Sequence, residues 1–338
     1  MESLFARSNE DLMDMLGLEK PFQARIVRQF LIKGAESFSE MTSLPKAERE
    51  RLDGAFRSTF SSHVIARSDA PSAVKLAIKL CDDAVIECVR LSDGKGRYTA
   101  CLSSQVGCAM GCAFCKTGTM GLVRNLTAGE IVEQFAHLQK LGERISHIVF
   151  MGMGEALSNF TSAMDAIEEL HREDGFNISY RKMTISTCGF VPGIRKLSEL
   201  NIPVRLAVSL VDAEDDVRSR LMRINRTYPL DTLKAELRRF QHRNDKRLTL
   251  EYCLLSGINT GEESAEALAR FAHGLDTVVN LIPWNAVEGL DFKTPSKREI
   301  EGFCRDLRRL GVSYTLRMEK GGSIGGACGQ LASESRRS

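Results

Sequence analysis

The sequence of 338 residues has little that suggests a membrane or secreted protein. It contains no run of about 18 uncharged apolar residues, which excludes a predicted membrane-spanning helix. Residues 1–16 carry acidic side chains where a signal peptide would be apolar, so we expect a cytoplasmic protein. The net charge is only +2, so composition alone does not indicate a basic nucleic-acid binder.

Cysteine, in contrast, is plentiful, with ten residues in the chain. Without an export signal, such a set indicates metal binding or redox catalysis rather than a disulfide scaffold. The length suits one large domain with a small accessory domain. Hydrophobic residues (43%) and charged residues (27%) are balanced as in ordinary globular proteins, and we find no repeat or low-complexity segment.

Apolar, β-branched runs alternate with helical patterns over most of the chain. The runs are 99–106, 145–151, 182–186, 204–210, 248–254, 277–283 and 312–317. The helical patterns between most of them are 127–141, 161–173, 191–200, 229–243, 262–274 and 296–310. Strand and helix repeated about six times predict an α/β fold of parallel βαβ units that close into a barrel or a partial barrel. Chemistry in such folds lies on the loops that follow the strands.

Two smaller regions precede this core. Residues 1–66 have the pattern of short helices and are predicted to form a helical accessory domain. Residues 67–96 contain two alternating apolar runs, 74–80 and 84–91, and are predicted to form a β extension. The core domain is then 97–338.

Three closely spaced cysteines follow the first strand of the core. Cys108, Cys112 and Cys115 have the spacing C-x3-C-x2-C, which suits a loop wrapped around one [4Fe–4S] cluster. Three protein thiolates leave one iron open, and the amine and carboxylate of an amino acid would suit that position. The alternatives are chance clustering or a structural zinc site. Zinc would need a fourth ligand, and the nearest histidine, His137, lies within a predicted helix.

These cysteines resemble the motif of the radical SAM superfamily. Further motifs resemble one of its families, the RlmN/Cfr family of radical SAM RNA adenine methyltransferases. In chain order, over about 85–332, they are Cys101–Cys108, Arg124–Thr127, Gly152–Glu155, Ser186–Thr187, Ile282–Asn285 and Ala327–Ala332. The resemblance implies a partial (β/α)6 radical SAM barrel with a small N-terminal helical domain and a β extension.

The resemblance also implies the reaction. One [4Fe–4S] cluster, coordinated by S-adenosylmethionine (SAM) and reduced by an external donor such as flavodoxin, would generate a 5′-deoxyadenosyl radical. A methyl group would pass to an adenine ring carbon of rRNA or tRNA. C2 is favoured over C8, because the motifs read closer to RlmN. Such carbons are electron-poor and do not accept an electrophilic methyl group, so radical chemistry by the cofactor is required.

Two further cysteines and one acid acquire roles by resemblance. Cys328 lies in a glycine-rich segment and would carry the methyl group as a thioether. Cys101 would form a transient disulfide with Cys328 and release the product. Glu87, an acid in an apolar strand, would act as the general base. Without the resemblance, the alternative for Cys328 is a thiol in a disordered tail. The alternative for Cys101 is a cysteine in the core of a strand, and that for Glu87 is an outward-facing strand acid.

Residues at the strand ends would bind SAM. By resemblance they are Gly154, Glu155, Ser186, Ser209, Leu210, Val211 and Asn285. Glu155 would accept from the SAM amine, while Ser186 and Asn285 would bond its carboxylate or ribose. Taken alone, each has the simpler interpretation of a helix cap or turn residue. Two positions depart from the family pattern: Ala156 replaces a proline, and Val211 replaces a histidine.

The segment 217–249 holds ten basic residues against three acidic ones. It is a candidate RNA surface, although such runs are usually solvated helix faces. We expect a monomer that binds RNA and no membrane. Two other functions stay open: a radical SAM enzyme acting on a non-RNA substrate, or a non-enzymatic iron–sulfur or RNA-binding redox protein. The open iron argues against an electron carrier.

Overall fold

The N-terminal region is helical. The structure, a computed structural model, describes residues 2–244, 246–317 and 321–332. It begins with α1 (Asn9–Leu16), α2 (Pro21–Ile32) and α3 (Lys46–Ala55). Ser8 caps α1, because its hydroxyl accepts from the Asp11 backbone N–H and the Asp11 carboxylate accepts from the Ser8 backbone N–H.

An antiparallel extension follows, formed by β1 (His63–Ala70), β2 (Ala73–Lys79) and β3 (Val85–Ser92). We did not predict β1, which begins ahead of the expected boundary at 66. Most of its side chains are exposed, so it lacks the alternating pattern of a half-buried strand. The extension joins the main sheet because β3 pairs with β4 (Tyr98–Cys101).

The predicted strand 99–106 is split into two. After β4, β5 (Gln105–Cys108) turns away and pairs with β6 (Gly121–Asn125) in a separate hairpin, with the short helix α4 (Lys116–Thr119) between them. Two hydrogen bonds hold the break: Ser103 N–H donates to Gln134 Oε1 (2.8 Å), and Gln134 Nε2 donates to the Ser103 carbonyl (3.0 Å).

The core repeats strand and helix as expected, and the prediction of an α/β partial barrel is confirmed. Its further elements are α5 (Ala128–Gln139), β7 (Ile145–Phe150), α6 (Phe160–His171), β8 (Met183–Thr187), α7 (Val191–Glu199), β9 (Arg205–Ser209), α8 (Asp215–Leu221), α9 (Leu230–Asn244), β10 (Leu248–Leu254), α10 (Glu262–Ala272), β11 (Thr277–Pro283), α11 (Lys297–Arg309) and β12 (Tyr314–Leu316).

One sheet carries the whole arrangement, in the order β1-β2-β3-β4-β7-β8-β9-β10-β11-β12. In this sheet β4 and β7–β12 are parallel, so their carboxyl ends meet at one edge. Within the described residues β1 and β12 stay unpaired with each other, and the barrel is therefore open.

A buried carboxylate helps to fasten the helical region to the core. Glu133 of α5 accepts hydrogen bonds from the Ser3 hydroxyl and from the backbone and hydroxyl groups of Ser61 and Ser62. These bonds satisfy a charge that would otherwise be costly to bury. Of the helices that the structure describes, none has the length and apolar character needed to span a bilayer.

Candidate active site

The three motif cysteines line one cavity of about 1020 Å³ at the carboxyl edge of the parallel strands. Cys108 ends β5, and Cys115 directly precedes α4. Gly107 makes the tight turn possible: its φ is +76°, and a Cβ there would stand 1.9 Å from the Gly121 carbonyl oxygen. A cavity in this position, lined by three thiols, is where a cofactor would bind.

The cysteine arrangement fits a cubane cluster better than a single ion. No group of three or more His, Cys, Asp or Glu among the described residues is gathered closely enough for one metal ion. In a cubane cluster each thiolate binds a different iron, so the three sulfur atoms need not converge on a point. Burial raises the pKa of Cys108 to about 12, and a bound cluster would supply the positive charge that a thiolate needs.

Gly154 and Glu155 lie on the loop after β7. Glu155 is buried, its Oε2 accepts from Cys188 N–H (2.8 Å), and burial raises the pKa of its carboxyl group. Gly154 has φ +99°, and a Cβ there would clash with the Gln105 side chain at 2.5 Å. Both predicted residues therefore line the cavity on a tightly fixed loop.

Ser186 and Ser209, at the ends of β8 and β9, also line this cavity. The Ser186 hydroxyl donates to Glu251 Oε2 (2.8 Å), an acid of β10 that we did not single out. Its signal was in the sequence, since Glu251 interrupts an apolar strand in the same way as Glu87 does. Leu210 is fully buried and does not line the cavity; its backbone N–H donates to the Glu251 carbonyl (2.9 Å).

Val211 lines the cavity with an unusual backbone, at φ +64°. A β-branched residue in the left-handed region is strained, and such strain persists only where neighbours fix it. The Val211 carbonyl accepts from Asn259 Nδ2 (2.7 Å), and its N–H lies 3.2 Å from the Glu251 carbonyl. Backbone contacts therefore hold this position, where the family pattern has a histidine.

Asn285 belongs to a second cavity, of about 540 Å³. Cys101 and Arg317 line the same space. Cys328 lines both cavities and so stands between the cofactor cavity and Cys101. Asn285 is thus separated from the other predicted SAM residues, because it follows β11 near the edge of the sheet.

Cys101 and Cys328 are both free thiols, as are the other cysteines of the chain. The predicted disulfide between them is therefore not a feature of this state, which is expected of a bond that would form only transiently in turnover. Burial, followed by the proximity of Cys328, raises the pKa of Cys101 to about 12. Cys101 is accordingly protonated at neutral pH.

The three motif cysteines and α4 together form residues 108–119, which we call the cluster loop. Hydrogen bonds place the C-terminal segment 321–332 against it. Thr117 Oγ1 donates to the Leu331 carbonyl (2.6 Å), and Lys116 N–H donates to the Gly329 carbonyl (2.8 Å). The helix that follows Cys115 therefore positions the segment that carries Cys328.

Glu87 contacts this segment from the other side. Its carboxylate accepts from Ala332 N–H (2.8 Å) and forms an ion pair with Lys75 (2.9 Å). Glu87 is not among the residues that line either cavity. In this conformation its carboxylate therefore fastens the C-terminal segment.

The basic segment 217–249 divides in the structure. Arg218 is completely buried and cannot belong to an RNA surface, which corrects that part of the prediction. Lys246 donates to the Ile202 carbonyl (2.7 Å), while Arg223 is exposed and its side chain lies beside Gly111 of the cluster loop. Charge counting along the sequence could not separate these cases, because it ignores which helix face is buried.

Comparisons with known proteins identify the family of this chain. The radical SAM superfamily profile matches residues 102–277. A probable dual-specificity RNA methyltransferase RlmN of Treponema denticola is 45% identical over 330 residues, covering 97% of this chain and 95% of that protein. A dual-specificity RNA methyltransferase RlmN of Anaeromyxobacter dehalogenans is 44% identical over 326 residues, covering 94% and 87%.

A solved structure gives the same result. The crystal structure of a radical SAM methyltransferase from Sphaerobacter thermophilus superposes with a TM-score of 0.91 at 37% identity, over 98% of this chain and 99% of that chain. Identity at this level over nearly the full length extends the likeness beyond the barrel to the N-terminal helices and the C-terminal segment. The chain belongs to the radical SAM superfamily and, within it, to the family of RlmN RNA methyltransferases.

Proposed function

We propose that this chain methylates an adenine ring carbon of RNA, with C2 as the favoured position and rRNA or tRNA as the substrate. The observation that carries the proposal is the place of Cys328, between the cofactor cavity and the cavity that contains Cys101. A methyl carrier has to meet SAM on one side and a releasing thiol on the other. The names of the curated relatives give further support.

Cys108, Cys112 and Cys115 would hold the [4Fe–4S] cluster. When bound and reduced, the cluster supplies the electron that cleaves SAM into methionine and a 5′-deoxyadenosyl radical. Four residues line the same cavity and would orient SAM: Glu155, Ser186, Ser209 and Val211. Asn285 would contact SAM from the second cavity.

The Cys328 thiolate would first take the methyl group of one SAM molecule, forming a C–S bond as S-adenosylhomocysteine leaves. The 5′-deoxyadenosyl radical would take one hydrogen atom from that methyl group, becoming 5′-deoxyadenosine and leaving a carbon radical on Cys328. The radical forms a bond to the adenine ring carbon, so protein and RNA are joined covalently.

Release requires that the ring carbon lose its proton and that the C–S bond break. Glu87 is the proposed base, which requires the C-terminal segment to free it from Ala332. Loss of that proton to Glu87 and of one electron to the cluster, left oxidised by the cleavage of SAM, restores the ring. The Cys101 sulfur then attacks the Cys328 sulfur, forming a disulfide as the methylene group leaves with the electron pair and gains a proton.

The adenine would have to be splayed out of its helix to reach this cavity. Exposed arginines beside the cluster loop, such as Arg223, are candidates for phosphate contacts. We expect a monomer that takes its electrons from an external donor such as flavodoxin.

Anaerobic incubation of the reconstituted chain with SAM, a reductant and separate rRNA and tRNA samples tests the proposal. We expect 5′-deoxyadenosine and 2-methyladenosine. Product as 8-methyladenosine would contradict the C2 assignment. Production of 5′-deoxyadenosine with no methylated RNA of either class would contradict the substrate.

A further inference from the structure

Arg218 is a buried arginine that contacts the chain at the carboxyl ends of β8 and β9. It lies on α8 and has 0% exposure. Its Nε donates to the Leu210 carbonyl (2.9 Å), and its Nη2 donates to the carbonyls of Cys188 (2.7 Å) and Ser209 (3.3 Å). One guanidinium therefore ties together the chain segments that leave β8 and β9.

The hydrogen-bond acceptors of this guanidinium are neutral. Besides the three carbonyls, Nη1 donates to Asn225 Oδ1 (2.7 Å). None of the ion pairs found among the described residues includes Arg218. Burying a cation without an anion is costly, so an anion that is part of the working protein is expected nearby.

The geometry points to the motif cysteines. Cys188, whose carbonyl Arg218 holds, lines the same cavity as Cys108, Cys112 and Cys115. The helix α8 also touches their loop directly, because Ala113 N–H donates to the Leu221 carbonyl (2.9 Å). Arg218 thus stands one layer behind the cavity wall.

The two acids near Arg218, Asp215 and Asp212, form no ion pair with it in the part of the chain that the structure describes. Asp215 is exposed, and its Oδ1 accepts from Asn225 Nδ2 (2.7 Å) and Leu230 N–H (3.0 Å). Asp212 is buried; its Oδ1 accepts from Glu214 N–H (2.8 Å), while its Oδ2 has no hydrogen-bond partner among the described residues and is not paired with Arg218. Burial lowers the pKa of Arg218. The Cys188 and Cys112 sulfurs raise it, and their effect is larger than that of Asp215 and Asp212.

We propose that Arg218 is a positioning residue that supplies the buried positive charge opposite the thiolate-bound cluster. This inference rests on the cluster of the proposed function. Three thiolates give the oxidised cluster a net negative charge, and reduction adds another. A fixed cation close by stabilises the reduced form more than the oxidised form. Loss of that cation should therefore move the midpoint potential of the cluster to a more negative value.

Redox titration of the reconstituted full-length protein, followed by electron paramagnetic resonance without SAM, tests this role. We compare the wild type with Arg218→Met, Arg218→Lys and the control Arg220→Met. Arg220 lies on the same helix but is exposed, so water screens its charge. We expect Arg218→Met to shift the midpoint potential to a more negative value and Arg220→Met to keep the wild-type potential. Arg218→Lys should give a much smaller shift, because lysine keeps the positive charge but lacks the planar guanidinium.

A second variant covers failure of Arg218→Met to fold. The pair Asn225→Asp with Asp215→Asn moves one negative charge from the surface to the guanidinium and keeps the net charge. We expect a negative shift here too. Unchanged potentials in this pair or in a cluster-loaded Arg218→Met would overturn the inference, as would equal shifts in Arg218→Met and Arg218→Lys. A wild-type chain that takes up no cluster would overturn the proposed function itself.

Discussion

The Ser186 hydroxyl donates a 2.8 Å hydrogen bond to the carboxylate of Glu251. The two side chains come from β8 and β10, which lie on either side of β9, so the bond spans three neighbouring strands at the cavity wall. Ser186 was predicted by the family resemblance, whereas its partner Glu251 was not predicted. The carboxylate fixes the orientation of the hydroxyl that is proposed to meet SAM.

Replacement of Glu251 should therefore weaken SAM binding. Glu251→Ala leaves the Ser186 hydroxyl without this acceptor, and we expect roughly a tenfold loss of affinity, which corresponds to about 1.4 kcal/mol. Glu251→Gln retains an acceptor oxygen and should lose less. Equilibrium binding of SAM to the cluster-loaded protein measures both, with exposed Glu262→Gln as the control. Equal affinities for Glu251→Ala and the wild type would refute this role.

The cluster assignment predicts a difference between two cysteines of one cavity. Cys112→Ala should lose bound iron and the visible absorption of the cluster, because it removes one of three ligands. Cys188→Ala should keep both, although Cys188 lines the same cavity. Iron and sulfide analysis after anaerobic reconstitution gives the answer. Similar iron content in the two variants would mean that the ligand set is wrong.

The hydroxyl of Thr117, which also contacts the Cys115 thiol, should matter for turnover at a given cluster content. Thr117→Val removes the bond to the buried Leu331 carbonyl, which costs about 1–3 kcal/mol. The segment that bears Cys328 should then leave its place more often, so the methylation rate, expressed per bound cluster from the measured iron content, falls by roughly tenfold. In the control Thr119→Val only a bond to the Lys116 carbonyl of the same turn is lost. Identical rates for both variants would argue against positioning by Thr117.

Asp212 predicts a pH-dependent change in stability. Burial raises its pKa from 3.8 to about 6, so the folded state binds a proton that the unfolded state releases between these values. The ionised carboxylate destabilises the fold above pH 6, by up to about 3 kcal/mol for a shift of this size. Asp212→Asn should therefore raise the free energy of unfolding most above pH 6, and the gain should diminish as the pH falls towards 4.

Urea titrations of the cluster-free wild type and Asp212→Asn at several pH values measure this difference. The matched control is Asp216→Asn, one turn away on the surface, which should show little effect at any pH. A constant gain for Asp212→Asn across the range would show that the carboxylate is not the titrating group.

Several features were accessible from the sequence, because they depend on spacing along the chain. The alternation of strand and helix gave the partial barrel, and the positions of Cys108, Cys112 and Cys115 after the first core strand placed the cluster loop. Ser186 and Glu155 were named by the family resemblance, and their places at strand ends suit the rule that chemistry lies there.

Other features depend on which elements meet in space. Glu251 meets Ser186 because β8 and β10 both lie beside β9 in the sheet. That strand order cannot be read from the sequence. Arg218 is one of many arginines in its segment, and its burial depends on how α8 packs. The contact of Glu87 with Ala332 joins the β extension to the C-terminal segment of the core. Long-range contacts of this kind require the fold itself.

The passage of the methyl group through Cys328 is the central claim, and a pulse–chase measurement tests it most directly. The full-length protein is first loaded using SAM with an isotopically labelled methyl group, freed of SAM, and then given unlabelled SAM, reductant and RNA. Mass spectrometry of the RNA nucleosides after one turnover locates the label. Labelled methyladenosine, with loss of the label from the Cys328 peptide, is the predicted result. Unlabelled methyladenosine formed while the protein keeps its label, or no label on Cys328 at all, would contradict the account.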